Sequence, residues 1–164
     1  MAVRCLQEML IQDPEQVYIL SHYIDSPFAE QEKREVLQEL FPSLDMHNVI
    51  LVPYGESKTD YVPIRIKEND FLVDDYNHNL ECWRDAGGYA IKFVNAINDR
   101  HGSWIGSKVE YDDPELNRSL NHIFENAAMS KPLEMTLEPY MQQKLEVLRS
   151  ACRYRFLITW QSAR

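Results

Sequence analysis

Apolar positions fall along this chain in two periods, one near 3.6 and one in short continuous runs, and the two alternate. Val3, Leu6, Met9 and Leu10 share one helix face, and the pattern stops at Asp13-Pro14, where proline disfavours further helix. An opening helix is predicted. Val17-Tyr18-Ile19-Leu20 is a run of strand formers with Ser21-His22-Tyr23 at its carboxyl end, which predicts a buried strand with a polar tip. Residues 29–41 mix Glu, Gln, Lys and Arg with Val36, Leu37, Leu40 and Phe41 on one side, an amphipathic helix ended by Pro42. Asn48 to Val52 is a second strand running into Pro53-Tyr54-Gly55, and Asp70-Phe71-Leu72-Val73 a third that ends in Asp74-Asp75. Leu80 to Ala86 is a short helix terminated by Gly87-Gly88, and Tyr89 to Val94 closes the series of strand-like runs.

Strands that alternate with helices imply mainly parallel pairing with helices on both faces, an α/β fold of Rossmann-like type. Residues 1–110 form the expected core, and residues 111–164 a mainly helical extension packed on it. Within the extension, Leu116, Leu120, Ile123 and Phe124 make one helical stripe, and Met141, Leu145, Leu148 and Cys152 another, with Pro132 and Pro139 between them. The stretch Tyr154 to Trp160 suits either a strand or a continued helix.

With 164 residues and 45% hydrophobic content, the chain can bury one sizeable core. No apolar run is long enough to span a bilayer, and the start has no leader pattern, so a cytoplasmic location is expected. Cys5, Cys82 and Cys152 are far apart and odd in number, which suggests reduced structural thiols. The five histidines show no metal-ligand spacing, and Trp83 and Trp104 are expected to pack in the core or in loops rather than form ligand platforms. The formal charge of −9 lies wholly in residues 1–100, which hold 18 acidic and 9 basic side chains. That excess opposes direct binding to nucleic acid and suits a basic protein partner or a divalent cation.

Candidate chemistry gathers at the strands' carboxyl ends, where open parallel sheets bind ligands. Ser21 follows the first strand, Lys58 the second, and Asp74 and Asp75 end the third. A hydroxyl and an ammonium can hold a phosphoryl group, and neighbouring carboxylates can hold Mg2+. The order Val-Tyr-Ile-Leu-Ser, then Gly55-Glu56-Ser57-Lys58, then Phe-Leu-Val-Asp-Asp-Tyr-Asn-His-Asn resembles motifs two to four of haloacid dehalogenase-like hydrolases. The nearest variant is similar to the 5'(3')-deoxyribonucleotidase-like group, over roughly residues 1 to 106. This resemblance implies phosphate contacts from Ser21 and Lys58, and a Mg2+ site at Asp74 with Asp75 as its partner.

The family's first motif, an Asp-x-Asp pair that supplies nucleophile and general acid, has no counterpart anywhere in the sequence. In the family the strand carrying it is central in the sheet. A replacement must therefore come from direct pairing of its neighbours, from the tail or from another molecule, and residues 154–160, rich in strand formers, are expected to add to the sheet. No catalytic residue is expected, and the sequence points to a catalytically degenerate phosphatase-like protein. Such a protein would act by binding a protein partner, as an inhibitor or regulator encoded by a phage or mobile element. That partner could be a basic nucleic-acid-binding protein, and an exposed sheet edge would allow a homodimer. The alternative is a Mg2+-dependent 5'-nucleotidase or phosphatase, or a fragment of one, whose nucleophile comes from elsewhere.

Overall fold

A computed structural model describes residues 2–95, 97–98, 104–129 and 155–158. Six strands form one sheet in the order β2-β1-β6-β3-β4-β5: β1 Val17–Tyr23, β2 Val49–Pro53, β3 Asp70–Asp74, β4 Tyr89–Val94, β5 Ser107–Glu110 and β6 Arg155–Ile158. All neighbouring pairs are parallel. The helices are α1 Ala2–Gln12, α2 Ala29–Leu40, α3 Lys58–Tyr61, α4 Asn77–Asp85 and α5 Leu116–Met129. Among the described residues, no helix is long and apolar enough to cross a membrane.

The alternation along each strand divides the core into two layers. Ile19, Phe71 and Val73 point to the face covered by Leu6 and Leu10 of α1, Leu37 of α2, and Leu116, Leu120 and Phe124 of α5. Leu20, Leu72 and Leu157 point to the other face, against Leu80 and Trp83 of α4 and against Trp104. Both tryptophans are thus core residues, at 0% and 5% exposure. On the first face the buried Cys5 thiol is pushed up to about 11, chiefly by desolvation and then by Glu8, the state of an inert structural thiol.

Trp83 also fixes the turn that ends α4. Its Nε1 donates to the carbonyl of Asp70 at 2.9 Å, and Gly88 lies so close that a Cβ there would stand 2.1 Å from that nitrogen. Gly87, at φ +99°, provides the left-handed residue that stops the helix. Gly88→Ala is expected to destabilise the protein by about 1–3 kcal/mol, because the indole must leave its rotamer or its hydrogen bond. A urea midpoint unchanged from the parent would contradict that packing.

One feature departs from the sequence-based expectation. Tyr89–Val94 does not close the series of strands, because Ser107–Glu110 adds β5 at the sheet edge. Only Val109 of β5 is buried, so the run has the weak signature of an edge strand. The tail follows the reading that it adds a strand to the sheet. Residues 155–158 are neither surface extension nor helix but the strand between β1 and β3, pairing Val17 to Ile19 with 156–158 on one side and Asp70 to Val73 with 155–158 on the other. The expected helical stripe from Met141 to Cys152 lies outside the described residues.

Candidate functional site at the strand ends

The direction of the chain reverses at β6. From β1 it moves outward to β2, and from β3 outward through β4 to β5, so the crevice above β6 is the sheet's switch point. Ile158 is level with both Ile19 and Val73, which leaves Ser21 and Asp74 just beyond it on opposite sides. Two strand spacings put their backbones about 10 Å apart.

Lys58, Asp74 and Asp75 come together as the sequence order implies. Lys58 opens the short α3, and its Nζ donates to Asp74 Oδ2 at 2.9 Å, with the two side chains 2% and 0% exposed. Desolvation pulls the Lys58 ammonium below the usual lysine range, while the Asp74 charge opposes that pull. Asp74 is further held by Asn79 Nδ2, at 2.9 Å from Oδ2, and by the backbone N–H of Tyr76, at 2.8 Å from Oδ1. The carboxylate is thereby fixed as β3 turns into α4. Ser21 is fully buried at the end of β1, level with Leu51 of β2.

Asp75 is in a different environment. Its Oδ1 is buried and has no hydrogen-bond partner among the described residues. Burial, and then the Asp74 charge, raise its carboxyl above the ordinary carboxylate range. Its carbonyl is well used, accepting from Lys92 Nζ at 2.6 Å and from Asn98 Nδ2 at 3.2 Å.

Four site residues escaped the sequence reading. Lys92, 2% exposed, also donates to Asn77 Oδ1 at 2.6 Å, and its signal was a charge inside the apolar run Tyr89 to Val94. Asn79 stands within the Asp-Asp-Tyr-Asn-His-Asn motif without having been singled out. Lys33 of α2 donates to the carbonyl of His22 at 2.5 Å, and its ammonium is lowered by burial and then by the Lys58 charge. His22 Nε2 lies 3.0 Å from the carbonyl of Glu56, which ties the end of β1 to the loop before Lys58. Burial holds this imidazole below its ordinary pKa, against the opposing effect of its hydrogen bond to the Glu56 carbonyl. His22 stands in the polar tip of the first strand without having been singled out, and Lys33 has no sequence signal, since it looks like an ordinary surface residue of an amphipathic helix.

Comparison with protein-family models, curated proteins and solved structures finds no significant match to this chain. The site must be read from its own chemistry. A groove of about 670 Å³ between α1 and α5 shares no residue with it, and the groove's charges are largely paired, as in Arg118–Glu115 at 2.9 Å.

Proposed function

We propose that this chain is a catalytically degenerate phosphatase-like domain that acts by binding a protein partner, as an inhibitor or regulator of the kind a phage or mobile element encodes. The state of Asp74 carries this reading. A carboxylate that attacks phosphorus must present a free lone pair to it, whereas Asp74 is 1% exposed and accepts bonds from Lys58, Asn79 and Tyr76. Asp75 Oδ1 is buried as well, and desolvation and then the Asp74 charge raise its carboxyl above the ordinary carboxylate range. The sequence offers no Asp-x-Asp pair in their place. The test is release of inorganic phosphate from nucleoside monophosphates and an aryl phosphate with Mg2+, for the parent chain and for Asp74→Asn. Release no greater than the variant's supports a binding role; release that the substitution abolishes overturns it.

A second reading, a Mg2+-dependent phosphomonoesterase or nucleotidase whose nucleophile comes from another segment or chain, is favoured by one observation. Asp75 Oδ1 is a buried oxygen without a partner among the described residues, beside a second carboxylate, and a hard cation that keeps most of its waters would satisfy it. Asp75 would be the protein ligand of such an ion, and Asp74, whose oxygens are taken by Lys58, Asn79 and Tyr76, would add its charge beside it. When bound, Mg2+ would supply charge neutralisation toward a phosphoryl oxygen.

Asp75→Asn separates the states of this carboxyl. A folded-state pKa above the unfolded value of 3.8 gives a penalty that is absent below 3.8, grows as pH rises through the interval to the raised value, and stays constant above it. Without divalent ions, Asp75→Asn is therefore expected to melt higher than the parent at neutral pH and to lose that advantage in acid. Added Mg2+ is expected to raise the parent's Tm and leave the variant's unchanged. Equal Mg2+ shifts in both proteins would exclude Asp75 as a ligand.

A further inference from the structure

The loops after β1 and β2, the short α3 and the turn after β3 form one rim at the carboxyl ends of the strands. The backbone N–H of Tyr54 donates to the Tyr23 carbonyl at 2.8 Å, His22 Nε2 lies 3.0 Å from the Glu56 carbonyl, and α3 packs against β1, β2 and α4. The rim is apolar. Of the eleven exposed large hydrophobic side chains among the described residues, five sit on it: Ile24, Phe28, Tyr54, Tyr61 and Tyr76. The described residues of the longer helices α1, α2, α4 and α5 together carry two, Ile11 and Val36. Tyr54, 79% exposed, meets the His22 ring edge-on with centroids 6.3 Å apart, so it stands over the end of β1. Exposed aromatic groups gathered in one place are the composition of a protein-docking surface rather than of a solvated one.

The exposed charge on this rim has one sign. Asp25, Glu56 and Asp60 are exposed among the aromatic groups. Residues 24–28, 54–61 and 75–76 expose no Lys or Arg, since Lys58 is buried against Asp74. Such a surface repels the phosphates of nucleic acid and anionic lipid. It also repels a second copy of this chain, which carries the same rim and a formal charge of −9. A cationic segment with apolar side chains satisfies both features of the rim.

We propose that this rim docks a cationic amphipathic segment of a protein partner, with apolar side chains of the segment resting on Phe28, Tyr54 and Tyr76 and its Arg or Lys side chains meeting Asp25, Glu56 and Asp60. The inference rests on the binding role proposed above and adds where the partner is held and by what chemistry. Tyr54 and Tyr76 follow strands three places apart in the sheet, about 14 Å, a span that about ten residues of helix cover. The aromatic contacts hold the segment in place. The carboxylates speed its arrival, a contribution that salt screens. Lys58 and Asp74 stay paired beneath the rim and take no part.

The test is fluorescence anisotropy with a labelled peptide of about fifteen residues that places leucines on one helix face and arginines on the other. A twin with serines in place of the leucines keeps the charge. The leucine peptide is expected to bind at least about ten-fold more tightly than the twin. Tyr54→Ser with Tyr76→Ser, both at exposed positions, should remove most of that ratio. Asp25→Asn with Glu56→Gln should weaken binding about ten-fold at low salt. Asp13→Asn with Glu15→Gln makes the same charge change at the opposite end of the strands, before β1, and should weaken it by less than about two-fold. Twins that bind alike, a ratio that survives in the tyrosine variant, or equal losses in the two charge variants would overturn the proposal. Tighter binding of a single-stranded oligonucleotide at the same residues would overturn it too. Phosphate release by a chain that also binds the peptide would overturn the non-catalytic reading and leave the docking surface standing. Absence of both binding and release would remove the docking surface alone.

Discussion

Asp74→Ala is expected to destabilise the protein by about 3–5 kcal/mol, because it leaves the ammonium of Lys58 buried with its counter-charge removed. Asn79 Nδ2 and the backbone N–H of Tyr76 lose the same acceptor, so the turn from β3 into α4 loosens as well. The charge term can be separated from the turn term. Adding Lys58→Met to Asp74→Ala removes the stranded cation, so the double variant should lose less stability than the single one, although both partners are gone. Urea unfolding of the four proteins in this cycle measures the effect. A loss below about 1 kcal/mol for Asp74→Ala would mean that Lys58 escapes to solvent when its partner is removed, and that the pair is a surface interaction.

Much of the sheet was legible because its strands are apolar on both faces and end in polar residues at the same side. Val17 to Leu20, Val49 to Val52 and Phe71 to Val73 stand out as continuous runs for that reason, and Pro14, Pro42 and Gly87 mark where helices stop. β5 was not legible, since one buried valine among Ser, Lys and Glu makes no pattern. At the site, the placing of Lys58 and Asp74 at the strand ends was legible from motif order, but their ion pair was not, since the sequence reading gave them separate ligands. Lys33 was not, because its role depends on the position of α2 over the end of β1, a tertiary fact that an amphipathic sequence does not encode locally. Asp75 illustrates the same limit. Its place beside Asp74 was evident, but its raised pKa and partnerless oxygen depend on what packs around it.

Strand β6 supplies the second large effect. It is four residues long, enters from the far end of the described chain, and is paired on both sides, so each of its inward N–H and C=O groups completes a ladder in the middle of the sheet. Leu157 is 1% exposed and packs with Leu20, Leu72 and Trp83 on the α4 face. Leu157→Pro removes a donor from a central strand and the leucine from the core together. Proline in a central strand and a large-to-small core change each cost about 3 kcal/mol or more, which together approach the whole stability of a domain this size. Leu157→Pro is therefore expected to abolish cooperative unfolding, and Leu157→Ala to lose about 2–5 kcal/mol while keeping a single transition. The pair of variants distinguishes a central strand from a tail lying on the surface. A surface tail would tolerate proline with a change within about 0.5 kcal/mol. If both variants unfold like the parent, β1 and β3 are not joined through residues 155–158, and the crevice between Ser21 and Asp74 loses its floor. If they behave as expected, the switch point around which Lys33, Lys58 and Asp74 gather is built by the last strand of the described chain.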